Sequence, residues 1–343
     1  MSGFDRSRFL RSGLGWLGAA VVPPLWAQSS SSGPPPSRVG ASPDRAGSPT
    51  DRPASPTGSA GTASATAPAG MLRRRVPSSG QLLPVVGCGT WQTFDVGDDA
   101  AARARLAGVL RVLFDAGGSV IDSSPMYGSS EEVAGAVLGP AGGRARAFVA
   151  TKVWISGREA GIAQMNRSMK LLGSDPIDLM QVHNLLDWRT HLATLRAWKQ
   201  EGRVRHLGVT HYTPSAHDEL ERVMRAEPLD FVQLNYAVND RAAEERLLPL
   251  AADKGIAVLV NRPFGGGGLL RSVRERPLPG WAADMGAASW PQLLLRFALS
   301  HPAVTCVIPG TSRPEHMRDN VMAGMGEIPP RAAWNRHLAE LER

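Results

Sequence analysis

Lysine is scarce in this chain, with four residues against thirty-four arginines. Tyrosine is scarcer still, at three residues, and there are two cysteines. Cys88 and Cys306 have no metal-ligand spacing, which excludes a cysteine-based metal centre or a disulfide-stapled scaffold. They read as small buried residues on the first and last strands, and a single disulfide between them is the alternative for an oxidising compartment. No apolar run approaches the ~18 residues of a membrane span, so no integral membrane protein is expected. Mean hydropathy is -0.16, and 43% of residues are hydrophobic, enough for a large core.

The formal charge of +7 suggests a nucleic-acid partner until it is located. Residues 1–75 hold nine Arg and three Asp, which supplies almost all of it. The remainder is nearly neutral, with its charges mixed, so it offers no basic patch for a phosphate backbone.

That basic region is not fold. Arg6, Arg8 and Arg11 precede a Gly-rich, modestly apolar stretch that ends at Ala27. Residues 1–27 therefore read as an export leader, twin-arginine-like but with Ser7 between the arginines, and the barrel is expected to be periplasmic or exported. A basic tail on a cytoplasmic protein is the alternative. Residues 28–70 are almost wholly Ser, Pro, Gly, Ala and Thr. Such a segment buries too little apolar surface to offset its ordering entropy and reads as a tether.

From residue 71 to 343 the pattern changes. Apolar runs at 83–88, 119–122, 147–153, 177–183, 206–210, 231–234, 257–260 and 305–308 alternate with amphipathic helical stretches. One such stretch, 100–116, places Leu106, Val109, Leu110 and Leu113 on one face. Others are 131–138, 189–200 and 214–225, the last with Thr213 as its expected N-cap, and 332–343 reads as a packing helix. Non-alternating Val/Ile/Leu strands suit a parallel sheet buried on both faces. A repeat of about thirty residues is the size of a strand–helix unit, and eight of them close a (β/α)8 barrel. The rival, a doubly wound open sheet, calls for G-x-G-x-x-G after its first strand. Here the turn reads Gly87-Cys88-Gly89-Thr90-Trp91-Gln92, and the fingerprint fails.

In such barrels chemistry sits where strands end. One of the four lysines, Lys152, lies inside the apolar strand Phe148-Val149-Ala150-Thr151-Lys152-Val153. A buried amine is costly unless paired, and Asp122 at the end of the neighbouring strand is its expected partner. A purely structural ion pair is the other reading. Tyr127 follows five residues after Asp122, and His183 ends the next strand but one. Close to an ammonium, the phenol of Tyr127 is expected to titrate below its ordinary value of ~10 and to exchange a proton near neutrality.

These residues resemble the aldo-keto reductase family. The resemblance is carried by Ile121-Asp122-Ser123-Ser124, Met126-Tyr127-Gly128, Thr151-Lys152-Val153-Trp154 and the run from Leu179 to Asn184. Leu207-Gly208-Val209-Thr210, Val232-Gln233-Leu234-Asn235 and Val307-Ile308-Pro309-Gly310-Thr311 support it, over roughly 72–320. The resemblance implies reduction of a carbonyl compound by NADPH, with NADH as an alternative donor. It implies Tyr127 as general acid, Lys152 and Asp122 tuning it, and His183 orienting the carbonyl. Cofactor contacts would come from Thr90, Asp122, Thr210, His211, Gln233, Asn261, Arg262, Pro263, Phe264, Gly265, Gly310, Thr311, Ser312, Arg313 and Asn320. Trp91, Phe94 and Trp154 would wall the substrate pocket. No metal is implied, and the oligomeric state is left open. Several positions depart from the pattern. Thr210-His211 replaces a common Ser-Asn, Asn261 stands where many members stack an aromatic ring on the nicotinamide, and Gly310 replaces a basic residue. A nicotinamide-binding regulatory or single-turnover redox protein is the alternative activity.

Overall fold

The computed structural model describes residues 70–341. The leader at 1–27 and all of the tether except Gly70 lie outside the described residues.

The described chain opens with an antiparallel hairpin of β1 (Arg73–Arg75) and β2 (Leu82–Pro84). Eight parallel strands follow: β3 (Cys88–Gly89), β4 (Val120–Asp122), β5 (Phe148–Val153), β6 (Ile177–His183), β7 (Val204–Thr210), β8 (Phe231–Asn235), β9 (Ala257–Asn261) and β10 (Val304–Val307). They pair in chain order. Parallel bridges Val86–Val307 and Gly89–Gly310 join the two edges, so the sheet closes into the expected (β/α)8 barrel.

Helices cover its outside: α1 (Ala100–Asp115), α2 (Ser130–Leu138), α3 (Arg158–Leu172), α4 (Trp188–Gln200), α5 (His217–Ala226), α6 (Leu247–Lys254), α7 (Gly268–Ser272), α8 (Trp290–Leu299) and α9 (Pro314–Met322). Local sequence sets their starts. Asp99 caps α1 by accepting from Ala102 N at 2.9 Å, and the Ser289 side chain accepts from Gln292 N at the start of α8.

Two apolar layers result. Outward strand residues such as Val149, Val153, Val182 and Val232 pack against the helices. Inward residues Val120, Phe148, Ala150, Leu179, Phe231, Ala257 and Leu259 fill the barrel together with Val76 and Leu83 of the hairpin, which therefore closes the end where strands begin. Gly208 makes this packing possible: a Cβ there would lie 2.6 Å from the Phe231 carbonyl oxygen.

Three expectations are corrected. The run 83–88 is not one strand, because Pro84 has no amide proton to continue a ladder and β2 belongs to the hairpin. The stretch 214–225 begins as a 3-10 turn, Pro214–Ala216, before α5 starts. Thr213 makes no capping bond, and its hydroxyl instead meets Ser215 Oγ at 3.1 Å. The C-terminal stretch is broken into α10 (Arg331–Trp334), a 3-10 turn and α11 (Leu338–Leu341), which lets both Trp334 and Leu341 turn into the core. Cys88 and Cys306 are buried free thiols, as the sequence indicated.

Candidate active site

Strand alternation decides which side chains face the barrel axis. Phe148 and Ala150 of β5 belong to the inner cluster, so Lys152 also faces inward. The same parity turns Asp122 of β4, Gln181 and His183 of β6, Thr210 of β7, Gln233 of β8 and Asn261 of β9 toward the axis. The apolar filling thus ends in a polar layer at the C-terminal ends of the strands.

Lys152 Nζ donates to Asp122 Oδ2 at 2.6 Å and to the Ser123 carbonyl at 2.7 Å. Lys152 is 0% exposed and Asp122 3%. Burial opposes the charge on Lys152, but Asp122 and Tyr127 outweigh it and hold the ammonium above its ordinary pKa. Desolvating two charges is compensated only if their remaining valences are filled. Here Asp122 Oδ1 accepts from Gln233 Nε2 at 2.8 Å and Gln181 Nε2 at 3.2 Å.

Tyr127 sits in the loop after β4, which is pinned by Asp95 Oδ1 accepting from Ser129 N and Oγ at 2.9 and 2.8 Å. Lys152 Nζ lies 5.0 Å from the Tyr127 ring centroid. The expectation of a lowered phenol pKa is corrected. Burial raises it, Lys152 draws it down, and burial prevails, so the phenol holds its proton more firmly than usual. The Tyr127 and His183 rings meet edge to face, 5.9 Å apart at 85°. His183 is pushed down to about 2 by burial, then by Lys152 and His211, so its imidazole is neutral. Its Nδ1 lies 3.0 Å from Ser124 Oγ.

A cavity of about 620 Å³ opens over this layer. Of the residues singled out from sequence, Asp122, Tyr127, His183, Thr90, Thr210 and Gln233 line it. So do Asn261, Arg262, Pro263, Phe264 and Gly310, with Trp91 and Trp154 at its mouth. Others fall elsewhere. Phe94 is 0% exposed and belongs to the core, so it is no part of the aromatic wall. His211 Nδ1 is occupied by the amides of Tyr212 and Thr213, at 3.0 and 3.3 Å. Gly265, Thr311, Ser312, Arg313 and Asn320 are not among the lining residues. Thr311 Oγ1 accepts from Arg313 N at 3.2 Å, Asn320 is buried in α9, and the side chain of Arg313 is 64% exposed beside Glu315.

Sequence reasoning missed Gln181, Tyr212 and Leu270, while Asn184, which follows His183 at its strand end, and Gly266 and Gly267, which continue the run from Gly265, line the cavity as well. Gln181 carried the signal that singled out Lys152, a polar residue inside an apolar strand. Tyr212 is one of three tyrosines in the chain. Leu270 carried none.

The lining fits an elongated ligand with an amide at one end and phosphates further along. Asn184 Oδ1 and Asn261 Oδ1 are buried without a hydrogen-bond partner. Gly265, Gly266 and Gly267 hold φ of 57°, 66° and 86°, a path that glycine takes most readily and that brings the bare main chain of Gly266 and Gly267 to the wall. Arg262 lines the same wall, with its guanidinium 5.5 Å from the Tyr212 ring centroid. A nicotinamide dinucleotide presents such groups.

The profile of the Aldo/keto reductase family matches residues 85–331, and the chain belongs to that family. It is 28% identical over 258 residues to methylglyoxal reductase YeaE of Escherichia coli, covering 73% of this chain and 89% of that protein. An aldo-keto reductase of Mycobacterium sp. (strain JLS) is 28% identical over 254 residues, covering 71% and 84%. Among solved structures, an aldo-keto reductase from Klebsiella pneumoniae in complex with NADPH aligns with a TM-score of 0.65 at 26% identity, covering 80% of this chain and 95% of that one. A Klebsiella pneumoniae aldo/keto reductase in complex with NADP and acetate aligns at 0.63 and 26%, covering 77% and 92%.

Proposed function

We propose that this protein reduces an aldehyde or ketone to the alcohol with NADPH, NADH being the alternative donor. The observation that carries this reading is the convergence of Asp122, Lys152, Tyr127 and His183 on one end of the barrel, where Asp122, Tyr127 and His183 line one cavity and Lys152 is buried against Asp122 and Tyr127. When bound, the reduced cofactor supplies hydride to the carbonyl carbon. Tyr127 donates its phenolic proton to the carbonyl oxygen. Lys152, kept charged by Asp122, stabilises the phenolate that this leaves. His183, neutral, hydrogen-bonds the same oxygen and orients it. Gln233, Thr210, Asn261 and Asn184 are assigned to the carboxamide, and Arg262, Gly266, Gly267 and Gly310 to the phosphates. Residues 311–313, Asn320, His211 and Gly265, which lie off the cavity, are assigned to the adenosine end or to support of the lining loops.

Trp91 and Trp154, 47% and 40% exposed at the mouth, favour an uncharged, apolar carbonyl compound. The test is loss of nicotinamide absorbance with a panel of aldehydes and quinones, for wild type and Tyr127→Phe. Turnover that disappears in the variant supports the reading. Cofactor binding without turnover in either protein overturns it in favour of a regulatory or single-turnover role.

Residues 1–27 are further proposed to be an export leader and 28–70 a tether carrying the barrel outside the cytoplasm. Support comes from the order of Arg6, Arg8 and Arg11, the Gly-rich apolar stretch and Ala27. Fractionation with N-terminal sequencing tests this. An uncleaved protein confined to the cytoplasm overturns it.

A further inference from the structure

Gln181 is a buried polar side chain that the proposed proton and hydride transfers do not use. It faces the axis from β6, in register with Lys152 of β5, and is 0% exposed. Its Nε2 donates to Asp122 Oδ1 at 3.2 Å, and its Oε1 accepts from Gln233 Nε2 at 3.4 Å. Gln233 is itself engaged by the protein. Its Nε2 also donates to Asp122 Oδ1 at 2.8 Å, and its Oε1 accepts from Thr210 Oγ1 and Asn261 Nδ2, each at 3.4 Å. A carboxamide taken up by Gln233 must therefore displace a bond that Gln233 already makes. If the bond to Asp122 is lost, Oδ1 of that buried carboxylate loses the shorter of its two amide donors, and a buried charged oxygen is costly to leave unsatisfied. Gln181 is the other donor to that oxygen.

We propose that Gln181 is a positioning residue that keeps Asp122 hydrogen-bonded and aimed at Lys152 while Gln233 exchanges between Asp122 and the carboxamide of the cofactor. The site then has two amides for one carboxylate oxygen, so one is released to the ligand without disturbing the Lys152–Tyr127 pair. This rests on the reading of the cavity as a nicotinamide site.

Several titratable groups face this centre. The charge of Asp122 acts on Lys152 of β5, on Tyr127 of the loop and on the thiols of Cys88 on β3 and Cys306 on β10, favouring the protonated form of each. His183 of β6 feels Lys152 and His211, and Glu131 of α2 feels Lys152. Replacing Gln181 by Met alters none of these charges. It removes a dipole from Asp122, whose negative charge then acts more strongly on Tyr127 and makes the phenol hold its proton more tightly.

The test uses the full chain, wild type and Gln181→Met. Protein fluorescence gives the Kd for NADP+. Phenolate absorbance gives the Tyr127 midpoint, with Tyr127→Phe accounting for Tyr212 and Tyr236. The variant is expected to bind NADP+ roughly tenfold more weakly, the loss of about one hydrogen bond to a charged group. Its phenol midpoint is expected to rise above that of wild type, and by more with NADP+ bound than without. Unchanged affinity and an unchanged midpoint overturn the proposal. A crystal structure of the wild-type protein with NADP+ decides independently, should the variant not fold. Gln233 Nε2 withdrawn from Asp122 with Gln181 still donating supports the exchange. Gln233 unmoved, with NADP+ bound, overturns the exchange alone. A wild-type protein that does not bind NADP+ overturns the nicotinamide reading and the exchange together.

Discussion

Lys152 Nζ stands 2.6 Å from Asp122 Oδ2 in a part of the barrel where neither residue is more than 3% exposed. Removing one member of such a pair strands the other without compensation. Lys152→Met is therefore expected to destabilise the fold by about 3–5 kcal/mol as well as to abolish turnover. Urea unfolding of wild type and variant measures the first effect. A change below about 1 kcal/mol would show that Asp122 finds another partner or a proton.

The pH dependence follows from two directions of shift. With Tyr127 as the proposed proton donor, carbonyl reduction needs the phenol protonated, and burial raises its pKa, so the proton is retained across neutrality and into alkaline solution. The rate of reduction then falls only as pH rises through a value above the ordinary ~10. His183 is lowered to about 2, so it stays neutral throughout and adds no limb near its ordinary ~6.5. A profile of kcat/KM against pH checks both points. An alkaline limb below about pH 9, or an acidic limb between about 6 and 7, would contradict this assignment of protonation states.

Much of this was legible in the sequence because it depended on where strands end and on polar residues placed against expectation. Lys152 stood out as a charge in an apolar run, and Asp122 and His183 as polar residues at strand ends. The structure brings them into one layer. What was not legible depended on how far a segment reaches. Phe94 lies three residues after Trp91 and looked like part of the same wall, yet the turn after β3 sends it into the core. Arg313 follows the last strand closely, but the chain enters α9 and leaves the guanidinium in solvent. The phenol shift had the wrong sign for a similar reason. The ammonium was visible in the sequence, whereas the desolvation that outweighs it required the packed barrel.

Arg262 and Arg313 separate in their expected effects on the cofactor. Arg262 lines the cavity beside Gly266, and a Cβ on that glycine would lie 2.9 Å from Arg262 Nη2. Arg313 is mostly exposed and meets Glu315 at 4.0 Å. Arg262→Ala is expected to raise the Kd for NADP+ by roughly tenfold, a loss of about 1.4 kcal/mol, with the difference shrinking at high salt. Arg313→Ala is expected to change it by less than about threefold. Fluorescence titration at two ionic strengths measures both. The reverse order would move the phosphate site from the wall formed by β9 and its loop to the start of α9.

Trp154 and Phe94 are both aromatic and both close to the site, but burial assigns them different work. The Trp154 ring is 40% exposed and lies 6.3 Å from the His183 ring, where a bulky carbonyl compound would cover it. Phe94 is 0% exposed within the core. Trp154→Ala is expected to raise KM for an aromatic aldehyde by about fivefold to twentyfold, from the loss of an aromatic contact, with a much smaller change for a short aliphatic aldehyde. Its melting temperature should stay within a few degrees of wild type. Phe94→Ala is expected to cost about 3–5 kcal/mol of stability through the cavity it leaves, with KM nearly constant in the fraction that folds. Steady-state kinetics on the two aldehydes, alongside thermal unfolding, separates the effects. Equal KM changes in the two variants would mean that the loop after β3 rearranges when substrate enters, bringing Phe94 to the pocket.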